Sequence, residues 1–205
     1  MDHYDLIVRN ATIIDGTQAA TAANTQVQSA APNLLNIVAG LLKATTKAAL
    51  NFHPGPPSYP GIGCTNFALY DGVDRFGVTC HHMALPVDSG AVILVRRFDV
   101  DPDETVFSLT GKCHAAIAEL FFEVMALVEA NAPLPTSAET WTRPAYRRDE
   151  LNALCRVTPD MDPAEIRRRV RATAYPGAPG AYIELAGLRF EYGGDPLLPV
   201  PLETK

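Results

Sequence analysis

The sequence predicts an α/β fold: a sheet with flanking helices, plus a small C-terminal helix and β-hairpin part. Three observations predict it. Short apolar, β-branched runs lie between turn residues, at Ala49 to His53, Gly77 to Met83 and Ala91 to Val95. Between Asp103 and about Asn131, apolar residues recur at helical spacing. Near the end, Ala181-Tyr182-Ile183-Glu184-Leu185 and Leu188-Arg189-Phe190-Glu191-Tyr192 flank Ala186-Gly187, a hairpin pattern. The chain has 205 residues, 47% of them hydrophobic and 20% charged, enough for one domain with a core or one domain plus a small appendage.

Charge and composition exclude several classes. With 17 Lys and Arg against 23 Asp and Glu, the net charge of -6 argues against binding a phosphate backbone, so nucleic acid is not an expected partner. The acidic start, Met1-Asp2-His3-Tyr4-Asp5, lacks the basic region of a signal peptide, and no apolar run approaches about 18 residues. A cytoplasmic chain with no membrane partner is expected. Cys64, Cys80, Cys113 and Cys155 form no Cys-x-x-Cys pair, so reduced thiols are expected. No histidine or cysteine spacing matches a metal motif.

Tyr4 to Ile14 reads as one or two short strands ending at Asp15-Gly16. This opening resembles the first strand of metal-dependent amidohydrolases, but no His-x-His follows it. Thr17 to Asn33, rich in Ala, Thr, Gln and Asn, reads as a weak helix or linker, and residues 1–33 are expected to form a separate, atypical segment. Leu34 to Leu42 predicts a buried strand. Ala49 to His53 is another, and alternation on it puts Asn51 and His53 on one face. Prolines 54, 56, 57 and 60 then forbid regular structure, so His53 stands where a strand meets a rigid loop.

Gly61 to Tyr70 predicts a helix stopped by Asp71-Gly72. On the strand from Gly77, His81 and His82 fall on opposite faces, one toward the core and one toward solvent. Asp88 precedes Ser89-Gly90, a place where Asp commonly forms turns. The strand from Ala91 continues through Arg96 to Val100, and Asp103 is the expected cap of the long helix, with His114 on its surface. Pro144 to Thr158 reads as a connector. Asp162-Pro163 opens a basic helix, Ile166-Arg167-Arg168-Arg169-Val170-Arg171, whose arginines either hold a phosphate or form a solvated face.

Asn51-x-His53-Pro54, Gly77-Val78-Thr79-x-His81 and Val87-Asp88-x-Gly90 occur in order. Over roughly Leu35 to Phe190 the sequence resembles the 10-formyltetrahydrofolate-dependent formyltransferases, which include methionyl-tRNA and amino-sugar N-formyltransferases. The stretch His53-Pro-Gly-Pro-Pro-Ser-Tyr-Pro-Gly61 resembles the branch acting on amino sugars. The sequence departs from the family in a shortened or atypical N-terminal half.

The resemblance implies a Rossmann-type formyltransferase fold with a partly parallel sheet, with residues 34–135 as catalytic domain and 136–205 as an acceptor-side subdomain. It implies Asn51, His53 and Asp88 as catalytic residues. Asn51 and a protonated His53 would stabilise the oxyanion, while Asp88 would orient His53, favour its charged form and aid proton transfer. It implies folate contacts at Leu41, Leu42, Leu85, Pro86 and Val87, with 10-formyltetrahydrofolate as formyl donor. The expected partner is a small-molecule amine, an amino-sugar nucleotide above others, and a homodimer fits the same reading. Two rivals share the motifs: a formyltetrahydrofolate hydrolase using water as acceptor, and a non-catalytic relative that has lost folate binding.

Overall fold

The computed structural model describes residues 48–193. The expected strands at Tyr4 to Ile14 and Leu34 to Leu42, the segment Thr17 to Asn33, and Leu41 and Leu42 therefore lie outside the described residues. Within them the chain runs β1 (Leu50–His53), α1 (Cys64–Asp71), β2 (Arg75–His82), β3 (Val92–Asp99), α2 (Val106–Glu129), α3 (Arg148–Cys155), α4 (Pro163–Thr173), β4 (Tyr182–Leu185) and β5 (Leu188–Glu191).

The mixed α/β class is found, but the described strands all pair antiparallel. One sheet has the order β1-β2-β3 and the other pairs β4 with β5. Among the described residues no two strands pair in parallel, as the resemblance implied some would, and for β2 and β3 the reason is local. A parallel crossover needs a dozen or more residues, so residues 83–91 can join β2 to β3 only as an antiparallel pair. The proline loop after β1 turns on itself, with Tyr59 N–H donating to the Pro56 carbonyl at 2.8 Å. Tyr59 also donates its hydroxyl to Asp71 at 2.8 Å, which keeps loop and α1 at one end of the sheet. β2 then starts beyond the end of β1 and returns along it, with His53 opposite Thr79 and Asn51 opposite His81.

Alternation divides the sheet into two faces. Phe52, Phe76, Val78 and Cys80 turn toward α2, whose Leu109, Cys113, Leu120 and Val124 are buried against them. Each such buried large side chain contributes roughly 1.5–3 kcal/mol. Asn51, His53, Thr79 and His81 turn the other way. Thr79 donates to the Gly55 carbonyl at 2.8 Å, tying that face to the proline loop.

The helices modify three expectations. The cap of α2 is Thr105 rather than Asp103: Thr105 Oγ1 accepts the Ser108 N–H at 3.1 Å and Ser108 Oγ accepts the Thr105 N–H at 2.9 Å. Glu104, just before the cap, is buried and pairs with Lys112. His114 is exposed, which favours the surface role over the structural one. Pro144 to Thr158 is not a mere connector, since it contains α3; with just Leu151 and Leu154 buried, its apolar pattern is too short to read as a helix. The arginines of α4 behave as a structural face. Glu165 accepts from Tyr70 at 2.7 Å and from Arg169 at 2.6 Å and pairs with Arg168, whose guanidinium lies 4.2 Å from the Tyr70 ring. Among the described residues, no helix is long and apolar enough to cross a membrane.

Candidate active site

Asn51 and His53 reach one face of the sheet because they alternate on β1, and Asp88 reaches it from the loop between β2 and β3. The register then adds a fourth group, because His81 stands directly opposite Asn51. A bulge between Cys80 and His81 breaks the β2–β3 register there, a device that re-aims side chains at functional sites.

The four side chains form one polar cluster. Asp88 Oδ2 accepts the Gly61 N–H at 2.7 Å and stands 3.3 Å from His53 Nδ1. Asp88 Oδ1 lies 3.3 Å from His81 Nε2 and 3.4 Å from Asn51 Nδ2. Asn51 Nδ2 is also 3.0 Å from His81 Nε2. Because His81 Nδ1 donates to the His82 carbonyl at 2.9 Å, a neutral His81 ring leaves Nε2 to accept from the Asn51 amide. His53 is fixed likewise, its Nε2 donating to the Tyr59 carbonyl at 2.7 Å. Asp88 itself sits at φ 49°, a left-handed backbone that costs a non-glycine residue of order 1–3 kcal/mol and concentrates at functional sites.

Burial sets the charges. Exposure is 5% for His53, 1% for His81 and 7% for Asp88, so water solvates none of them freely. Desolvation lowers the His53 pKa below its ordinary 6.5 and outweighs the opposing attraction of Asp88. Asp88 does favour a charged His53, as expected, but burial outweighs that attraction, so the expected protonated ring is disfavoured before reaction. The 3.3 Å gap agrees, since a charged N–H···O bond is about 2.7–2.9 Å. Burial would raise the Asp88 carboxyl, but contact with the His81 ring, the nearby His53 and the Gly61 N–H together hold it below 3.8.

Both shifts have one thermodynamic sign. An unfolded chain would protonate His53 near 6.5 and Asp88 near 3.8 while the folded chain resists, so this stability is complete above each value and is lost as pH falls below it. Thermal melts should show Tm constant near pH 8 and declining once pH drops below about 6.5, with the first decline smaller in His53→Gln. A Tm unchanged from pH 8 to 5 would contradict the assignment.

Beside this cluster lies a groove of about 670 Å³, a size suited to a small molecule. One wall is Leu85, Pro86 and Val87, with Leu85 and Val87 about half exposed. The other is the segment carrying Trp141, Arg143 and Arg147. The apolar residues expected to contact a pterin thus line a groove next to Asp88. One buried thiol lies near the cluster: the Cys64 thiol donates to the Pro54 carbonyl at 3.2 Å, and burial pushes it up to about 12. All four cysteines are unpaired by disulfides.

Sequence reasoning missed two members of this site. His81 read as a core or solvent histidine, although its place opposite Asn51 would follow once the two strands were paired. Trp141 carried no signal, because it comes from a segment distant in sequence and without a motif.

Comparison with known proteins gives a consistent result. The formyl transferase family profile matches residues 2–125. A GDP-perosamine N-formyltransferase from Brucella melitensis is 28% identical over 148 residues, which cover 71% of this chain and 56% of that protein. The chain thus spans about half the length of that relative. Among solved structures, a sugar N-formyltransferase from a Shewanella species superimposes with TM-score 0.62 at 21% identity, covering 71% of this chain and 60% of that one. A 4-N formyltransferase from Francisella tularensis gives TM-score 0.60 at 20% identity, covering 71% and 61%. An N-formyltransferase from Helicobacter canadensis, in complex with folinic acid and dTDP-3-aminofucose, gives 0.54 at 17%, covering 67% and 51%. At these identities the structures establish a shared fold.

Proposed function

The chain belongs to the formyl transferase family, and on that premise we propose that it transfers a formyl group from 10-formyltetrahydrofolate to the primary amine of an amino-sugar nucleotide. One observation carries the reading: Asn51, His53 and Asp88, drawn from two separate stretches, converge beside an apolar groove. The named substrates of the Brucella and Helicobacter relatives supply the acceptor class. The same proposal assigns residues 34–135 to catalysis and 136–205 to the acceptor side, with folate contacts at Leu41, Leu42, Leu85, Pro86 and Val87. A homodimer belongs to this proposal too.

The amine attacks the formyl carbon and the carbonyl oxygen gains negative charge. A hydrogen-bond donor must already face that oxygen. Asn51 holds one amide hydrogen on His81, while the other makes only a 3.4 Å contact with Asp88 and is readily redirected to the oxyanion. As the nitrogen bonds to carbon it must lose a proton. His53 Nδ1 and Asp88 Oδ2 face each other across 3.3 Å with no hydrogen between them, so a proton taken up there, directly or through water, joins them by a charge-assisted bond. His53 then becomes cationic beside the oxyanion as its charge develops. The C–N bond to the folate N10 breaks as the intermediate collapses, and that nitrogen recovers the proton.

The donor is tested by calorimetric titration with the stable analogue 5-formyltetrahydrofolate. Saturable one-site binding is expected, weakened at least about tenfold in Val87→Asp, whose charge would stand in the apolar wall. No binding at millimolar folate would overturn the donor assignment and favour the non-catalytic rival. Product analysis separates transferase from hydrolase: free formate without formylated amino sugar would favour water as the acceptor.

A further inference from the structure

We propose that Trp141 is a positioning residue for formyl transfer: its indole forms the wall between the groove and the two imidazoles and fixes both rings edge-on. This inference rests on the formyl-transfer reading of the site and extends it to a residue outside the three motifs. The Trp141 ring meets His81 at 4.9 Å between centroids, 85° between planes, and His53 at 5.8 Å and 71°. The same residue lines the groove. One indole therefore touches the reacting cluster on one side and whatever fills the groove on the other.

Its placement is firmly held. Trp141 Nε1 donates to the Gly90 carbonyl at 2.7 Å, two residues beyond Asp88. The backbone around it is pinned on both sides, with Ser137 N–H donating to the Val92 carbonyl at 3.0 Å, Thr142 N–H to Pro57 at 3.1 Å and Tyr146 N–H to Pro60 at 2.8 Å. These bonds strap the segment from β3 to the proline loop, across the face that carries His53 and His81. Both rings are almost fully buried, although Leu85 and Val87 nearby are half exposed, and the indole stands between the two environments.

The groups facing His53 are Asp88 from the loop, His81 from β2, the Tyr59 carbonyl and Cys64 from the proline loop and α1, and Trp141 from the strap. Removing the indole admits water while leaving Asp88 in place. The desolvation that lowers the His53 pKa is then relieved, and the ring protonates at higher pH.

The test uses the full chain and the variants W141A and W141F, with formyl transfer to an amino-sugar nucleotide followed against pH. W141A should lower kcat by roughly ten- to a hundredfold, as a small misplacement of reacting groups does. Its acid limb should move up by roughly one pH unit. W141F should recover most of the loss and return the limb. A folded W141A with an unchanged acid limb, or with normal kcat, overturns the proposal. Trp141 is the single tryptophan of the chain, so its emission provides a second readout that needs no substrate. In the wild type the emission should fall as His53 becomes protonated, and this step should vanish in His53→Gln. A flat response overturns the contact whatever the activity. A clear emission step in a chain that transfers formyl to no amine overturns the formyl-transfer reading and, with it, the positioning role.

Discussion

Asp88→Ala should lower kcat/KM for formyl transfer by about three orders of magnitude, within the range lost with a positioned proton-transfer group. The carboxylate has three duties and alanine performs none. It faces His53 Nδ1 where the proton is taken up, it lies beside Asn51, and it accepts the Gly61 N–H that anchors the proline loop. The last duty is structural, and losing a hydrogen bond to this half-buried N–H costs roughly 0.5–1.5 kcal/mol. Asp88→Asn separates the two effects. Its amide oxygen can still accept from Gly61, so most stability should return, while the site remains without a carboxylate and activity stays low. Steady-state kinetics and thermal melts on both variants check this, and normal turnover in Asp88→Ala would remove Asp88 from the mechanism.

Gly90→Ala should be the most damaging small substitution in the described chain. A methyl group at residue 90 would stand 1.7 Å from the His82 carbonyl oxygen and 2.8 Å from its carbon, closer than atoms can approach. The backbone has little freedom to yield. His82 N–H is bonded to the Ala91 carbonyl at 2.9 Å, and the Gly90 carbonyl holds Trp141. Losses above about 4 kcal/mol are rare and diagnostic, and one of that size would lower Tm by roughly 8–16 °C in a chain of this length. Gly111→Ala is the control, because nothing stands within 4 Å of a Cβ there and the residue lies within α2, where alanine is favoured by roughly 0.5–1 kcal/mol. Equal melting temperatures for Gly90→Ala and wild type would show that the loop is not packed as described.

What was legible in the sequence depended on how local the signal is. Strands β1, β2 and β3 were readable because each is a short apolar run bounded by turn residues, and α2 because its apolar stripe runs through several turns. Asn51, His53 and Asp88 were singled out by the order of three motifs, and the fold brings these residues within hydrogen-bonding reach. Pairing direction was not readable, since an apolar run has the same composition whichever way its neighbour travels. His81 was misjudged because alternation assigns a face without saying what that face meets. Trp141 was invisible because nothing in residues 133–147 marks where the segment will cross. The His53 charge was misjudged for a related reason: a carboxylate neighbour is written in the motif, whereas desolvation arises from the whole assembly around it.

The bond from Gly61 to Asp88 also bears on how chains of this family can be recombined. Gly61 pairs as a parallel bridge with Tyr146, and Ile62 N–H donates to the Tyr146 carbonyl at 3.3 Å. The backbone that presents an N–H to the Asp88 carboxylate is thus itself held by a residue beyond the long helix. A chimaera made to exchange acceptor preference, with its junction placed just after α2, would import a foreign strap and disturb the carboxylate from a distance. A junction placed after Arg147 would carry Trp141 and Tyr146 with Asn51, His53 and Asp88. The boundary suited to exchanging parts lies there, one segment later than the end of the long helix.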